Sequence, residues 1–131
     1  MKEYIDGDLV RYTSLYKEPI AEICEVRETS YLIRFMNGNF AKVTSQEIKP
    51  IPLIQEILEK NGWNKRTRVC CDGEYLEDFR NPSLPLEHFA IAFTKKGIKV
   101  TYDCLPVREV KYISDLQHLL FGLGLNSKME A

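Results

Sequence analysis

Long apolar runs, glycine-rich phosphate loops and paired metal-ligand motifs are all missing from this 131-residue chain. Its apolar stretches reach only a handful of residues, against the ~20 needed to span a bilayer, so no membrane-spanning helix is expected. Neither G-x-G-x-x-G nor G-x-x-x-x-G-K occurs, which removes the backbone cradles of dinucleotide and nucleoside triphosphate sites. Histidine is limited to His88 and His118, and Cys24, Cys70, Cys71 and Cys104 form no Cys-x-x-Cys pair. A structural zinc site draws on such local pairs, so no metal is expected, and no cofactor either. The opening Met-Lys-Glu-Tyr-Ile-Asp-Gly-Asp breaks up its apolar residues with charge. It lacks the apolar region of a signal peptide. The expectation is a cytoplasmic chain whose reduced cysteines serve as small apolar residues in strands.

Charge of one sign is also in short supply. With 18 basic and 19 acidic residues the net charge is −1. Such a chain has no large single-sign field to drive non-specific nucleic-acid binding. Local clusters remain: Lys65, Arg66 and Arg68 in one run, and Lys95, Lys96 and Lys99 near a turn. Neither is interleaved with aromatics for base stacking, so solvated charge is the favoured reading and nucleic acid the alternative. Asp72-Gly-Glu-Tyr-Leu-Glu-Asp78 gathers carboxylates. Hydrolytic pairs, however, must face each other across a cleft with separated pKa values, and an acidic turn is the commoner explanation. No catalytic residue is assigned.

What the chain does have is ordinary globular patterning, with 44% hydrophobic and 28% charged residues. A chain of this length buries roughly two thirds of its unfolded surface. The first fifty residues read as short strands: 8–12, 20–28, 31–36 and 39–44. Asn37-Gly38 is the strongest hairpin signal, because a type I′ turn needs positive φ at both central positions. A strict two-residue loop would set Ile33 opposite Lys42, an awkward pair, so a bulge or longer loop is expected. These strands suggest a small SH3-like antiparallel barrel over residues 1–50. Four tyrosines cluster there, and Tyr12, Tyr16 and Tyr31 are candidate partner-binding residues alongside Lys65, Arg66 and Arg68.

Residues 51–131 read as α+β. Leu53, Ile54, Ile57 and Leu58 make a helical stripe, stopped by Gly62 as a left-handed cap with Trp63 packing back on Leu58. Strands are expected at 68–71, 74–76, 87–93 and 98–102, with Asp72-Gly73 as a further turn. Leu116, Leu119, Leu120 and Leu123 form a second stripe, started by a Ser114/Gln117 capping box. Gly122 and Gly124 weaken its end, and the polar tail from 126 frays.

Glu47-Ile-Lys-Pro-Ile-Pro-Leu-Ile-Gln-Glu-Ile-Leu-Glu-Lys-Asn-Gly-Trp63 resembles the I-x-P-I-P-L-T-x-E-x-L-x-x-x-G-F segment of a family of small proteins. The family abounds in Bacteroides-type bacteria, their phages and mobile elements, and no activity is assigned to it. Val110-Lys-Tyr-Ile-Ser-Asp-Leu-Gln-His-Leu-Leu-Phe-Gly-Leu123 is similar to its closing I-K-Y-V-H-Q-L-Q-N-L-Y-F-A-L block. Order and separation fit, over some two thirds of the chain. Ile54 replaces the family's threonine and Ser114 its histidine. The resemblance implies a compartment and a genomic context rather than a mechanism.

The combined expectation is α+β: an SH3-like barrel followed by antiparallel hairpins covered by two amphipathic helices. A non-enzymatic module binding a protein or small ligand is favoured. A nucleic-acid-binding accessory protein and a small enzyme with an unrecognised site are the alternatives.

Overall fold

The computed structural model describes residues 4–69, 75–85, 88–103 and 105–131, leaving aside the side chains of 68, 69, 75 and 76. Cys70, Cys71, Cys104 and the Asp72-Gly73 turn therefore lie outside the described residues. The chain is mixed α+β, with two five-stranded antiparallel sheets and two helices among the described residues. Contacts divide it into two units: 1–52 with 112–131, and 53–111. The closing helix thus groups with the N-terminal strands, whereas the sequence laid it over the C-terminal hairpins.

In the first unit, strands β1 (Leu9–Tyr12), β2 (Ile20–Val26), β3 (Tyr31–Phe35), β4 (Phe40–Val43) and β5 (Ile48–Pro50) form the order β4-β3-β2-β1-β5. A 3-10 turn at Ser45–Glu47 precedes β5. Val10, Ala21, Ile23, Ile33, Val43 and Ile48 are buried together with Tyr4, one residue from each strand or more. That is the period-two alternation of a sheet with one covered face. The expected barrel closure is not seen: β4 and β5 stand at opposite ends of the ladder. β5 is only three residues long and runs into Pro50 and Pro52, which have no N–H to extend a ladder.

The β3–β4 hairpin takes the longer loop that the pattern requires. Phe35 N donates to Asn39 O at 2.8 Å, and Ile33 pairs with Ala41 instead of Lys42. Gly38 sits at φ +90°, the left-handed position of a three-residue loop closed by a bulge.

The second unit is a meander, β6 (Asn64–Val69), β7 (Tyr75–Arg80), β8 (Phe89–Thr94), β9 (Gly97–Tyr102) and β10 (Leu105–Val110), in sequential order. Phe89, Ala90, Ile91 and Ala92 of the central strand are all buried. Helix α1 (Gln55–Lys60) is shorter than its stripe suggests, because Leu53 and Ile54 remain extended before it. Its stop is as expected. Gly62 at φ +87° donates to Glu59 O at 3.1 Å, and Trp63 N to Leu58 O at 3.0 Å, the paired bonds of a Schellman motif. Trp63 is 3% exposed, and its ring lies 6.3 Å from that of Phe89.

Helix α2 (Ile113–Gly122) corrects its predicted start. Tyr112 is the N-cap residue, and its N–H donates to Asp115 Oδ2 at 2.9 Å. Ser114 and Gln117 are therefore inside the helix, buried, and form no capping box. Gly124 at φ +73° closes α2 with a second Schellman pair, Gly124 N to Phe121 O and Leu125 N to Leu120 O. The tail beyond it is tied down rather than frayed. Ser127 O accepts a bond from Gln117, and Met129 is buried.

Candidate functional site

The first unit carries a largely apolar groove at the end of its sheet where β1 turns into β2. It encloses about 570 Å³ between Leu15, Pro19 and Ile20 on one side and Phe35, Met36, Asn37, Asn39 and Phe40 on the other. All of these residues are uncharged. Leu15 is 53% exposed, Met36 69% and Phe40 59%, and the neighbouring Tyr16 is 92% exposed. Large apolar side chains gathered in one exposed place mark interaction surfaces far more than they do singly.

The loop that builds one wall is strained. Lys17 and Glu18 both have positive φ, +70° and +42°, although neither is glycine and Glu18 precedes Pro19. A residue before proline favours extended backbone, and each left-handed non-glycine costs on the order of 1 kcal/mol. The loop is nonetheless well held. Arg11 Nη1 donates to Glu18 O at 3.0 Å, Lys49 Nζ pairs with Glu18 Oε2 at 2.5 Å, and Glu18 N bonds Leu15 O at 3.1 Å. These contacts fix Leu15 and Tyr16 at the loop tip.

The candidate tyrosines divide by use. Tyr12 packs on the core and meets Phe35 edge-on at 5.5 Å; Tyr31 meets Tyr4 in the same way at 5.7 Å. Only Tyr16 of the three is open to solvent. Tyr4 itself is buried, and burial, helped by Tyr31, Asp8 and Tyr112 nearby, pushes its phenol from 10.0 up to about 12.

The basic candidates face acids. Arg66 stands opposite Asp78 in the β6–β7 register and donates from Nε to Oδ1 at 2.7 Å, while Asp78 is fully buried. Lys65 Nζ lies 3.4 Å from Glu77 Oε2. The side chain of Arg68 is outside the described set. Glu77 and Asp78, from the acidic run, are thus engaged as cross-strand partners of cations.

A polar cluster absent from the sequence reading lies between α2 and the start of β1. Gln117 Oε1 accepts from Leu9 N at 3.0 Å, and its Nε2 donates to Gly7 O at 2.8 Å and Ser127 O at 3.2 Å. The ladder explains the fit. β5 pairs with β1 only as far as Val10↔Pro50, and the next residue, Ile51, turns aside to accept the Ile113 N–H at 2.8 Å. The primary amide of Gln117 offers one donor side and one acceptor, so it stands in for the missing peptide group. At the next residue, His118 Nε2 approaches Asp8 Oδ2 at 2.6 Å; Asp8 is 1% exposed and also accepts from Ile5 N at 2.9 Å. Sequence patterning could not have found this cluster, since its members lie about 110 residues apart.

His88 has a carboxylate partner too, with Nδ1 2.7 Å from Asp103 Oδ1. Both members of that pair are about half exposed. Cys24 is no activated nucleophile, because burial and then Glu22 beside it push its thiol up. Among the described residues no group of three or more His, Cys, Asp or Glu side chains could hold a metal ion, and no helix is long and apolar enough to cross a membrane. Compared with family models, curated proteins and solved structures, the chain matches none.

Proposed function

We propose that the chain is a non-enzymatic interaction module that binds a protein or small ligand in the Leu15–Phe40 groove of an SH3-like first unit. The observation that carries this is the groove itself: about 570 Å³ lined by eight uncharged residues, with Leu15, Met36 and Phe40 more than half exposed. An SH3-like reading is supported by the strand order, in which the fifth strand returns beside the first after a 3-10 turn. The resemblance of 47–63 and 110–123 to small phage and mobile-element proteins supports a cytoplasmic role in that context. Nucleic acid is the weaker partner, because Lys65 and Arg66 are already engaged by Glu77 and Asp78.

The test is a fragment screen by amide chemical shifts on the full chain. Apolar fragments are expected to move the signals of 15–20 and 35–40, and Met36→Asp to abolish those shifts. Hits confined to the second unit, or none at all, would remove the groove as the binding site. A substrate turned over and lost with a single substitution would overturn the non-enzymatic reading.

A further inference from the structure

The groove borders a free sheet edge. In the β3–β4 ladder, Phe35 N donates to Asn39 O, so the Asn39 carbonyl and the backbone groups of the alternate residues Ala41 and Val43 turn toward β3. The N–H and C=O groups of Phe40 and Lys42 then point the other way, where no described strand pairs with β4. Phe40 therefore contributes its side chain to the groove and its backbone to the edge. Lys42, two residues on and on the same face, is exposed and makes no ion pair among the described residues.

Area argues against a second folded copy as the occupant. Leu15, Tyr16, Met36 and Phe40 together expose on the order of 500 Å², taking ~200 Å² for a large side chain. A stable protein–protein interface takes about 800 Å² from each partner. That area suits a short segment whose affinity comes largely from main-chain pairing, as in β-strand addition.

Resting on the groove reading above, we propose that the occupant is an extended peptide segment of a partner protein, added as a strand to the outer edge of β4. Its backbone pairs with Phe40 and Lys42. An apolar side chain enters the uncharged groove beside Phe40, and an acidic side chain two positions away meets Lys42. The two-residue spacing follows from the period of a strand.

The probe is a fluorescein-labelled peptide of alternating threonines, with a central leucine and a glutamate two positions to either side, so that both strand directions are served. Polarisation with the full chain is expected to show saturable binding. Replacing both glutamates by lysine weakens it about fivefold, since a cross-strand charge pair becomes a like-charge pair. Lys42→Glu reverses that preference. N-methylation of one alternating set of peptide amides abolishes binding, and of the other set leaves it intact. If neither set matters while Met36→Asp still weakens binding, the groove reading stands and strand addition is overturned. If apolar fragments fill the groove but no peptide binds, the peptide occupant is overturned alone. If fragments and peptides both fail, both readings fall. Concentration-dependent dimers dispersed by Phe40→Asp would make a second copy the occupant and overturn the proposal.

Discussion

Replacing Gln117 by leucine keeps the volume of the side chain and removes the amide that links α2 to Gly7 and Leu9. The buried Leu9 N–H then loses its acceptor, and the half-buried Gly7 and Ser127 carbonyls lose their donor. A buried donor left unmade costs about 1–3 kcal/mol, and each half-exposed carbonyl recovers part of its loss from water. The expected destabilisation is therefore about 2–4 kcal/mol. With a urea slope of about 2 kcal/mol/M for a chain of this size, the midpoint falls by roughly 1–2 M. Hydrogen exchange gives the local readout: the Leu9 amide should exchange at least tenfold faster. Gln117→Glu separates the two halves of the amide, because it keeps the acceptor for Leu9 but turns a carboxylate toward two carbonyl oxygens. That variant should regain stability as pH falls and its side chain protonates. A midpoint shift of Gln117→Leu below about 0.3 M, with Leu9 exchange unchanged, would refute the view that this amide replaces a strand.

His118→Ala should cost about 1–3 kcal/mol in urea unfolding, because it strips one partner from the buried Asp8 carboxylate; a neutral result would make the pair incidental. Tyr4 gives a pH signature. Its folded pKa of about 12 exceeds the ordinary 10.0, so the native state holds its proton more tightly. That contribution, on the order of 2 kcal/mol, is present below pH ~10 and lost as pH rises toward 12. Ultraviolet titration should show one phenol ionising late, together with alkaline unfolding, and Tyr4→Phe should remove the late step. Gly97→Ala should destabilise by about 1–2 kcal/mol in thermal unfolding, since Gly97 lies at φ +118° and an added Cβ would sit 3.3 Å from Glu109 Oε1.

Local periodicity made much of the fold legible. The helix stop at Gly62-Trp63 depends on residues within one turn, and the sequence carries all of them. The need for a longer β3–β4 loop was likewise visible, because placing Lys42 opposite Ile33 would set a charge against the core face. Wherever the outcome depended on distant residues, pattern reading failed. Ser114 and Gln117 fit a capping box by spacing, yet Ile51 reaches over to accept the Ile113 N–H, so the helix begins earlier and both residues turn inward. The candidate site was half visible. Tyr16 belongs to its loop, but Leu15, Met36 and Phe40 read as ordinary apolar residues until the sheet gathers them at one end.

The same shortage of strand explains both features of the first unit. A five-stranded sheet that does not close leaves two edges, and unpaired edges invite association. At the β5 side, prolines cut the ladder short, and Gln117, His118 and the tail cover the exposed start of β1. There Leu9 N, Gly7 O and Ile51 O all find partners on α2, which covers the end of that edge. At the β4 side no comparable cover is seen among the described residues, and the strand carries only Lys42 as a deterrent to pairing. One lysine discourages a like-charged or apolar strand but attracts an acidic one. A sheet covered at one edge and open at the other fits the strand addition proposed above. It predicts that adding charge at an exposed position of the open side, as Phe40→Asp, lowers peptide affinity without lowering stability, whereas disturbing the sealed side does the reverse.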